Sequence, residues 1–216
     1  MPLSGINLIL VDTNLELVRE WRTQFSGLSN VEIVHSGFQE LDTFDCMVSP
    51  ANSFGIMDGG VDAAIIRFFG YSLMEAVQRR IRNEFLGEQP VGTSIIVETG
   101  HAAHPFLAHT PTMRIPMPIA RTDYVYASMW AMLCAVHRHN LEAGRSIETV
   151  ACPGLGTGTG RMPMQEAARQ MALAYRCCLN PPASITWRFA TERQTAVGRG
   201  GDLGMTMIPR PPKHVE

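Results

Sequence analysis

Short apolar runs alternate along the chain with longer segments in which apolar residues recur every three or four positions. The short runs have the length of buried β-strands, and the longer segments have the spacing of amphipathic helices. Strands are predicted at residues 6–11, 31–35, 45–49, 94–97, 106–108, 147–151 and 185–189. Helices are predicted at residues 13–25, 61–69, 72–85, 124–141 and 163–179. This alternation favours a three-layer α/β fold with its functional site at one end of the sheet.

Three of the predicted helices have recognisable starting sequences. Residues 13–16 (Thr-Asn-Leu-Glu) and 72–75 (Ser-Leu-Met-Glu) have the form of a capping box, so Thr13 and Ser72 are the expected N-cap residues. Pro163 is suited to the first position of the last predicted helix, where no backbone N–H group is needed.

The regular pattern stops near residue 190, and the remaining residues are rich in glycine and proline. We therefore expect one domain at residues 1–190 and a C-terminal tail at residues 191–216 that is flexible or docked only in places. The length of 216 residues and the hydrophobic content of 45% are sufficient for the core of one such domain.

Composition and charge exclude several classes of partner. The 18 basic and 20 acidic residues give a net charge of −2 without a long run of either sign, so neither general nucleic-acid binding nor membrane binding is expected. No apolar run approaches the roughly 20 residues that span a bilayer, and the N-terminus lacks the pattern of a signal peptide. A soluble cytoplasmic protein is the resulting expectation.

The cysteines and histidines do not form a recognisable metal site. Five cysteines without a Cys-x-x-Cys pair favour reduced thiols; Cys152 is expected to be a buried small residue, with a reactive thiol as the alternative. His101, His104 and His109 lack acidic or cysteine ligands at a metal-site spacing, so they are expected to be surface or strand-end residues. We expect neither a metal ion nor a resident cofactor.

Two glycine-rich segments follow predicted strands. Residues 49–62 contain Asn52, three glycines and then Asp62, ten positions after the asparagine. Residues 152–163 contain four glycines, which let backbone N–H groups approach an anion closely. Neither segment has the Gly-Lys-Ser/Thr ending of a P-loop or the glycine spacing of a dinucleotide fingerprint. Together they indicate a site for a nucleotide or a diphosphate.

The two segments resemble the signatures of the macrodomain family of ADP-ribose-binding modules and hydrolases. Residues 48–52 and 58–62 are similar to the family's Val-Asn-Ala-Ala-Asn and Gly-Val-Asp sequences. Residues 153–163 are similar to its Pro-x-x-Gly-Thr-Gly sequence, which a glycine, an aromatic residue and a proline follow. The resemblance covers about residues 31–189. It implies a three-layer α/β/α fold with a mixed central sheet, and ADP-ribose or an ADP-ribosylated substrate as the ligand.

The resemblance also implies a role for individual residues. Asn52 matches the asparagine that hydrogen-bonds the distal ribose, and Asp62 matches the acid that activates or orients water near C1″ in hydrolytic members. A carboxylate close to a diphosphate has a raised pKa, which suits it to act as a base near neutral pH. The turn around the ribose and its phosphate matches Gly59, Gly60 and Val61. The diphosphate loop matches Gly156, Thr157, Gly158, Thr159 and Gly160, and the ligand contacts continue at Arg161 and Met162.

Four positions depart from the family pattern. Ile66 stands where hydrolytic relatives often have a histidine one turn after the acid, and Asp58 stands where relatives commonly have glycine. Phe38 replaces the aspartate that contacts adenine, and Met162 replaces the aromatic residue that packs on the distal ribose. Phe38 is expected to offer an apolar or stacking contact to the ligand.

Trp187 and Phe189, on the last predicted strand, are alternative stacking surfaces for the adenine ring. The resulting hypothesis is a metal-independent enzyme that binds ADP-ribose and hydrolyses a bond at C1″ of the distal ribose, in an ADP-ribosylated macromolecule or a small ester. Two alternatives remain open. Ile66 favours a reader module that binds ADP-ribose without hydrolysis, and Phe38 favours a related fold that binds another nucleotide or a protein partner.

Overall fold

A mixed β-sheet with helices on both faces forms the centre of the protein. The computed structural model describes residues 5–142, 144 and 146–198. Its strands are β1 (Asn7–Val11), β2 (Val31–Val34), β3 (Cys46–Ser49), β4 (Ile95–Glu98), β5 (Phe106–His109) and β6 (Thr149–Cys152). They are arranged in the order β2-β1-β6-β3-β5-β4, and only β4 runs antiparallel to its neighbour among these strands. The predicted three-layer α/β fold with a mixed sheet is confirmed.

The helices cover the sheet from two sides. They are α1 (Leu15–Gln24), α2 (Gly60–Phe69), α3 (Tyr71–Phe85), α4 (Tyr124–Glu142), α5 (Met164–Leu179) and α6 (Trp187–Gly198). Apolar residues of α1, α4 and α5 form one core with the sheet, and those of α2 and α3 form the other. Every side chain of β3 is buried because both faces of this strand are covered. No helix in the described ranges is long and apolar enough to cross a membrane.

The starts of three helices differ from the sequence prediction. Helix α5 begins at Met164, so Pro163 is its N-cap residue and not its first helical residue. Helix α1 begins at Leu15, and the side chain of Asn14 caps it by accepting the N–H groups of Glu16 and Leu17 at 2.9 and 3.3 Å. Thr13 is therefore not the cap. Helix α3 begins at Tyr71, directly after Gly70, whose φ of 96° allows the sharp turn that separates α2 from α3. The predicted cap, Ser72, therefore lies inside the first turn of α3.

The strand predicted at residues 185–189 is wrong, because this segment leads into helix α6. The guanidinium group of Arg193 lies over the ring of Phe189, one helical turn earlier, at 5.0 Å. It also lies over the ring of Trp130 on α4 at 5.1 Å. Arg169 on α5 donates hydrogen bonds to the carbonyl groups of residues 196 and 197 near the end of α6. The helix continues across the predicted domain boundary at residue 190, and residues 199–216 of the predicted tail lie outside the described residues.

Candidate functional site

The carboxyl ends of β1, β6 and β3 lie side by side at one edge of the sheet, since these strands are adjacent and parallel. The first glycine segment leaves β3 and the second leaves β6. The crevice outside the carboxyl ends of such strands is the usual ligand site of open α/β sheets. The fold therefore brings together two segments that are about a hundred residues apart in the sequence.

A cleft with two adjoining chambers lies between these segments. The larger chamber, of about 430 Å³, is lined by the end of β1, the segment after β2, the start of α2 and the second glycine segment. The smaller chamber, of about 130 Å³, is lined by both glycine segments and the start of α2. Gly60, Val61, Gly154 and Gly158 line both chambers, so a single elongated ligand can occupy both.

The second glycine segment presents a row of uncommitted hydrogen-bond donors. The backbone N–H groups of residues 156–160 donate no hydrogen bond within the described part of the chain. The carbonyl groups, in contrast, hold the loop: Gly156 accepts from Met162 at 3.0 Å, Gly158 from Arg161 at 3.0 Å and Gly160 from Ile119 at 2.7 Å. Successive free N–H groups in a glycine loop form a concave site for an anion.

The start of α2 supplies a second group of free donors. Gly59 precedes the helix and offers no capping side chain, and Gly60 has a φ of 56°. The first N–H groups of a helix have no intrahelical acceptor, and the helix dipole adds positive potential there. Because Gly60 and Val61 line both chambers, this helix end adds to the potential that the second glycine segment provides for a negatively charged ligand.

Asp62 is a buried carboxyl group in the first turn of α2 and lines the smaller chamber. Its Oδ1 accepts a hydrogen bond from Ser49 Oγ at 2.7 Å. Burial raises the pKa of Asp62 to about 7, the Ser49 hydrogen bond opposes this shift, and the negative charge of Asp58 adds to it. A carboxyl group with this pKa exchanges protons near neutral pH, as a general base or acid must.

Asn52 lines the smaller chamber, and its amide also holds its own loop together. Its Oδ1 accepts the N–H groups of Phe54 and Ile56 at 3.1 and 3.3 Å, and its Nδ2 donates to the Ile56 carbonyl at 2.7 Å. One hydrogen of Nδ2 is left over, since an amide nitrogen carries two. The contact of Asn52 with a ribose remains a prediction that this hydrogen can satisfy.

The remaining predicted site residues differ in whether they line the cleft. Phe38 lines the larger chamber but is only 5% exposed, because it packs edge to face against Phe44 and Phe68. Thr157 lines the larger chamber, whereas Asp58, Gly59, Gly156, Thr159 and Gly160 line the smaller one. Met162 is 1% exposed and belongs to the core beneath the loop, so the structure does not bring it to the cleft.

Three further candidates also lie away from the lining of the two chambers. Arg161 is exposed and adopts a φ of 50° where the loop turns toward α5. Trp187 and Phe189 lie on α6, which packs against α5. The structure therefore offers no support for these two residues as a stacking surface.

Asp12 and Asn14 line the larger chamber and were missed by the sequence analysis. The carboxylate of Asp12 accepts the N–H group of Asn14 at 2.8 Å and that of Gly154 at 3.1 Å, which joins the end of β1 to the second glycine segment. The sequence signal for Asp12 is a polar residue directly after a buried strand. This signal does not identify a site residue by itself, because the sequence does not show that β1 lies beside β6.

The histidines and Cys152 are explained by packing. His109 is the last residue of β5, as the strand-end prediction allows, and is fully buried. His104 is buried and stacks on Phe44 with 3.9 Å between ring centroids, so a surface position is wrong for this residue. Burial raises the pKa of the Cys152 thiol far above its usual range, which excludes a reactive thiolate. Within the described residues, no group of three or more His, Cys, Asp or Glu side chains is placed to hold a metal ion.

Comparisons with known proteins agree with this geometry. Residues 48–171 match the Macro domain family, and this range contains both glycine segments. An uncharacterized protein of Aquifex aeolicus is 32% identical over 143 residues, which cover 66% of this chain and 78% of that relative. An O-acetyl-ADP-ribose deacetylase of Cronobacter turicensis is 30% identical over 141 residues, covering 64% of this chain and 74% of the relative.

Solved structures show the same fold at low sequence identity. A mutant macrodomain of Oceanobacillus iheyensis with ADPR aligns with a TM-score of 0.58 at 19% identity, covering 90% of this chain and 94% of that one. The macrodomain of Mycobacterium tuberculosis DarG aligns with a TM-score of 0.53 at 22% identity, covering 63% and 84%.

Proposed function

Because this chain belongs to the macro domain family, we propose that its cleft binds ADP-ribose and hydrolyses a bond at C1″ of the distal ribose. The substrate is an ADP-ribosylated macromolecule or a small ADP-ribose ester. The observation that carries this proposal is the buried Asp62 carboxyl group, with a pKa of about 7, in the chamber that adjoins the row of free N–H groups. The similarity to an O-acetyl-ADP-ribose deacetylase supports a hydrolytic reaction.

The shape of the cleft suggests how the ligand lies. The diphosphate is placed against the N–H groups of residues 156–160 and the start of α2, where charge-assisted hydrogen bonds hold it without a lysine. The adenosine then occupies the larger chamber, beside Phe38 and Asp12, and the distal ribose occupies the smaller one, beside Asn52 and Asp62. The volumes suit this order, because the smaller chamber holds the smaller group.

The proposed chemistry uses Asp62 as a general base. Its carboxylate accepts a proton from a water molecule as the water oxygen forms a bond with C1″. The bond between C1″ and the leaving group breaks, and the leaving group takes the electron pair and the proton that Asp62 received from water. Asp62 is thereby a carboxylate again, one water molecule is consumed, and ADP-ribose is released.

The experiment compares turnover with affinity. Substitution Asp62→Asn preserves the shape of the side chain, and Asp62→Ala removes it. For both variants we expect release of ADP-ribose from an ADP-ribosylated protein to fall by about 100-fold or more, since general-base catalysis contributes at least that factor. Calorimetric titration with ADP-ribose is expected to show affinity close to that of the unmodified protein.

The matched control is Asp58→Asn, which removes an exposed carboxylate from the same chamber. We expect this variant to retain turnover within about threefold, because Asp58 acts on Asp62 only through its charge. Unchanged turnover in both Asp62 variants would exclude a catalytic role for that residue.

The second candidate function is a reader module that binds ADP-ribose without hydrolysis. Ile66 is the observation that favours this alternative, since it stands where hydrolytic relatives often have a histidine. Its side chain packs against the core that α2 and α3 form with the sheet. Tight binding together with no release of ADP-ribose by the unmodified protein would select the reader. Absence of binding at millimolar ADP-ribose would exclude both functions and favour another nucleotide or a protein partner.

A further inference from the structure

The order of the strands sets the order of the segments along the cleft. Strands β2, β1, β6 and β3 are successive neighbours and run parallel, so their carboxyl ends lie at the same edge of the sheet. Neighbouring strands are about 4.8 Å apart. The second glycine segment follows β6, Asp12 follows β1, and Phe38 lies in the segment after β2. Along this edge, Asp12 therefore lies between the second glycine segment and Phe38.

Two backbone groups hold the Asp12 side chain in place. Its Oδ1 accepts the N–H group of Asn14 at 2.8 Å, and its Oδ2 accepts that of Gly154 at 3.1 Å. A carboxylate has about four lone-pair sites, two on each oxygen, so each oxygen can accept one more hydrogen bond. Asp12 is half-buried and lines the larger chamber, so a ligand in that chamber can reach these acceptor sites.

Asp12 gives the larger chamber a negative charge. Among the described residues that line this chamber, it is the one acidic residue, and no lysine, arginine or histidine accompanies it. The other polar lining residues are uncharged: Thr13, Asn14, Ser36, Gln39 and Thr157. A negatively charged group in the larger chamber would therefore face a carboxylate without a cationic side chain to pair with. The free N–H groups of the second glycine segment suit such a group much better.

The hydrogen bond with Gly154 places the Asp12 carboxylate near the junction of the two chambers, since Gly154 lines both. In the proposed binding mode, the diphosphate lies against the second glycine segment and the adenosine enters the larger chamber. The covalent order of the ligand makes the ribose of the adenosine, and not the adenine, the first group beyond the diphosphate. This ribose then lies beside Asp12, and the adenine lies farther along the sheet edge, toward Phe38.

The hydroxyl groups of this ribose match the acceptor sites of Asp12. The 2′- and 3′-hydroxyl groups are neighbouring donors, and a carboxylate offers two neighbouring oxygens. In dinucleotide-binding folds an acidic side chain likewise binds the 2′-hydroxyl group of a ribose, whereas an arginine accommodates a 2′-phosphate. A 2′-phosphate beside Asp12 would place two like charges together, which is strongly unfavourable. We propose that Asp12 is a specificity-determining residue, whose carboxylate accepts hydrogen bonds from the adenosine ribose and excludes ligands with a 2′-phosphate.

This inference rests on the proposed binding of ADP-ribose, but not on its hydrolysis. The first experiment changes the ligand and leaves the protein unmodified. In calorimetric titration, we expect ADP-ribose without the 2′-hydroxyl group of its adenosine to bind about tenfold more weakly, because one hydrogen bond to a charged group is lost. ADP-ribose with a 2′-phosphate on the same ribose is expected to bind at least about 100-fold more weakly, because of the contact between like charges.

The second experiment tests whether these differences depend on Asp12. Asp12→Asn keeps the shape of the side chain but removes its charge, so the 2′-phosphate is expected to weaken binding by only about tenfold or less. The loss caused by removal of the 2′-hydroxyl group is also expected to shrink, since the two changes affect the same contact. A purely structural effect on the second glycine segment would weaken all three ligands equally and leave both affinity ratios unchanged.

The matched control is Asp45→Asn. The Oδ2 atom of Asp45 accepts the N–H groups of Glu148 and Thr149, both at 2.8 Å, so this carboxylate also joins two segments of backbone. It does so at the amino end of β6, opposite the cleft. We expect Asp45→Asn to leave the affinity ratios of the three ligands unchanged.

Equal affinity of the unmodified protein for ADP-ribose and its 2′-phosphate, or affinity ratios that Asp12→Asn leaves unchanged, would overturn the inference while the proposed function stands. The ligand comparison needs no variant, so it decides the question even if Asp12→Asn does not fold. Failure of the unmodified protein to bind ADP-ribose would refute the proposed function and this role of Asp12 together. Binding that distinguishes the three ligands supports the inference, whether or not the protein releases ADP-ribose from a substrate.

Discussion

A Cβ atom at Gly156 would lie 2.7 Å from Cδ1 of Ile119, closer than real Cβ contacts come. Ile119 is buried and donates its backbone N–H group to the loop, so it cannot easily move aside. The φ of Gly156 is also 69°, a conformation that disfavours alanine. We expect Gly156→Ala to lower the free energy of unfolding by about 2 kcal/mol, as measured by urea denaturation. The control Gly158→Ala, with no atom within 4 Å of its Cβ, is expected to change it little.

Gly158 offers a test of ligand binding that leaves the fold intact. It is exposed, it lines both chambers, and a side chain placed on it would enter open space in the cleft. We expect Gly158→Val to weaken ADP-ribose binding by about tenfold or more in calorimetric titration, equivalent to about 1.4 kcal/mol. The matched control Ala183→Val adds similar bulk at an exposed turn outside the cleft. Equal affinity in the two variants would show that the loop does not hold the diphosphate.

Most elements of the fold could be predicted from the sequence. Each buried strand is a short apolar run, and a polar or glycine-rich segment follows it. The position of β6 between β1 and β3 could not be predicted, because strand order depends on contacts between distant segments. The error at residues 185–189 has a local cause. Residues 185–189 (Ile-Thr-Trp-Arg-Phe) alternate apolar and polar side chains, which is the period of a strand. The contact between Phe189 and Arg193 that stabilises α6 appears only in three dimensions.

The same difference between local sequence signals and contacts of distant segments applies to the candidate site. Asp62 and the glycines of both segments were identified from motifs that are local in the sequence. Asp12 was not, because its hydrogen bond with Gly154 depends on the pairing of β1 with β6, which are far apart in the sequence. Met162 was assigned to the ligand because a motif gives the order of residues and not the direction of a side chain, which here enters the core.

Substitutions at Asn14 and Thr13 test which residue caps helix α1. Because Asn14 accepts two N–H groups of the first turn, Asn14→Ala is expected to lower the free energy of unfolding by about 1 kcal/mol. Thr13→Ala is the matched control and is expected to have little effect, since His35 contacts only the backbone carbonyl of Thr13. Urea denaturation of both variants distinguishes the two caps. A larger loss for Thr13→Ala would restore the capping box that the sequence predicts.

The raised pKa of Asp62 makes stability depend on pH in a defined direction. The folded protein keeps this proton up to a pKa of about 7, whereas an unfolded aspartate releases it near a pKa of about 3.9. Between these values the folded state binds more protons than the unfolded state. Stability from this group is therefore fully present below about pH 4 and is lost as pH rises through about 7.

Substitution Asp62→Asn removes this dependence, because the amide is uncharged at every pH and retains a partner in Ser49. We expect the variant and the unmodified protein to have similar free energies of unfolding at pH 4. At pH 8 the variant is expected to be more stable by up to about 4 kcal/mol, the product of the pKa difference and 1.36 kcal/mol per unit. Urea denaturation at a series of pH values measures the difference. The lowered pKa of His109 acts equally in both proteins and cancels, so a difference that does not vary with pH would contradict the raised pKa of Asp62.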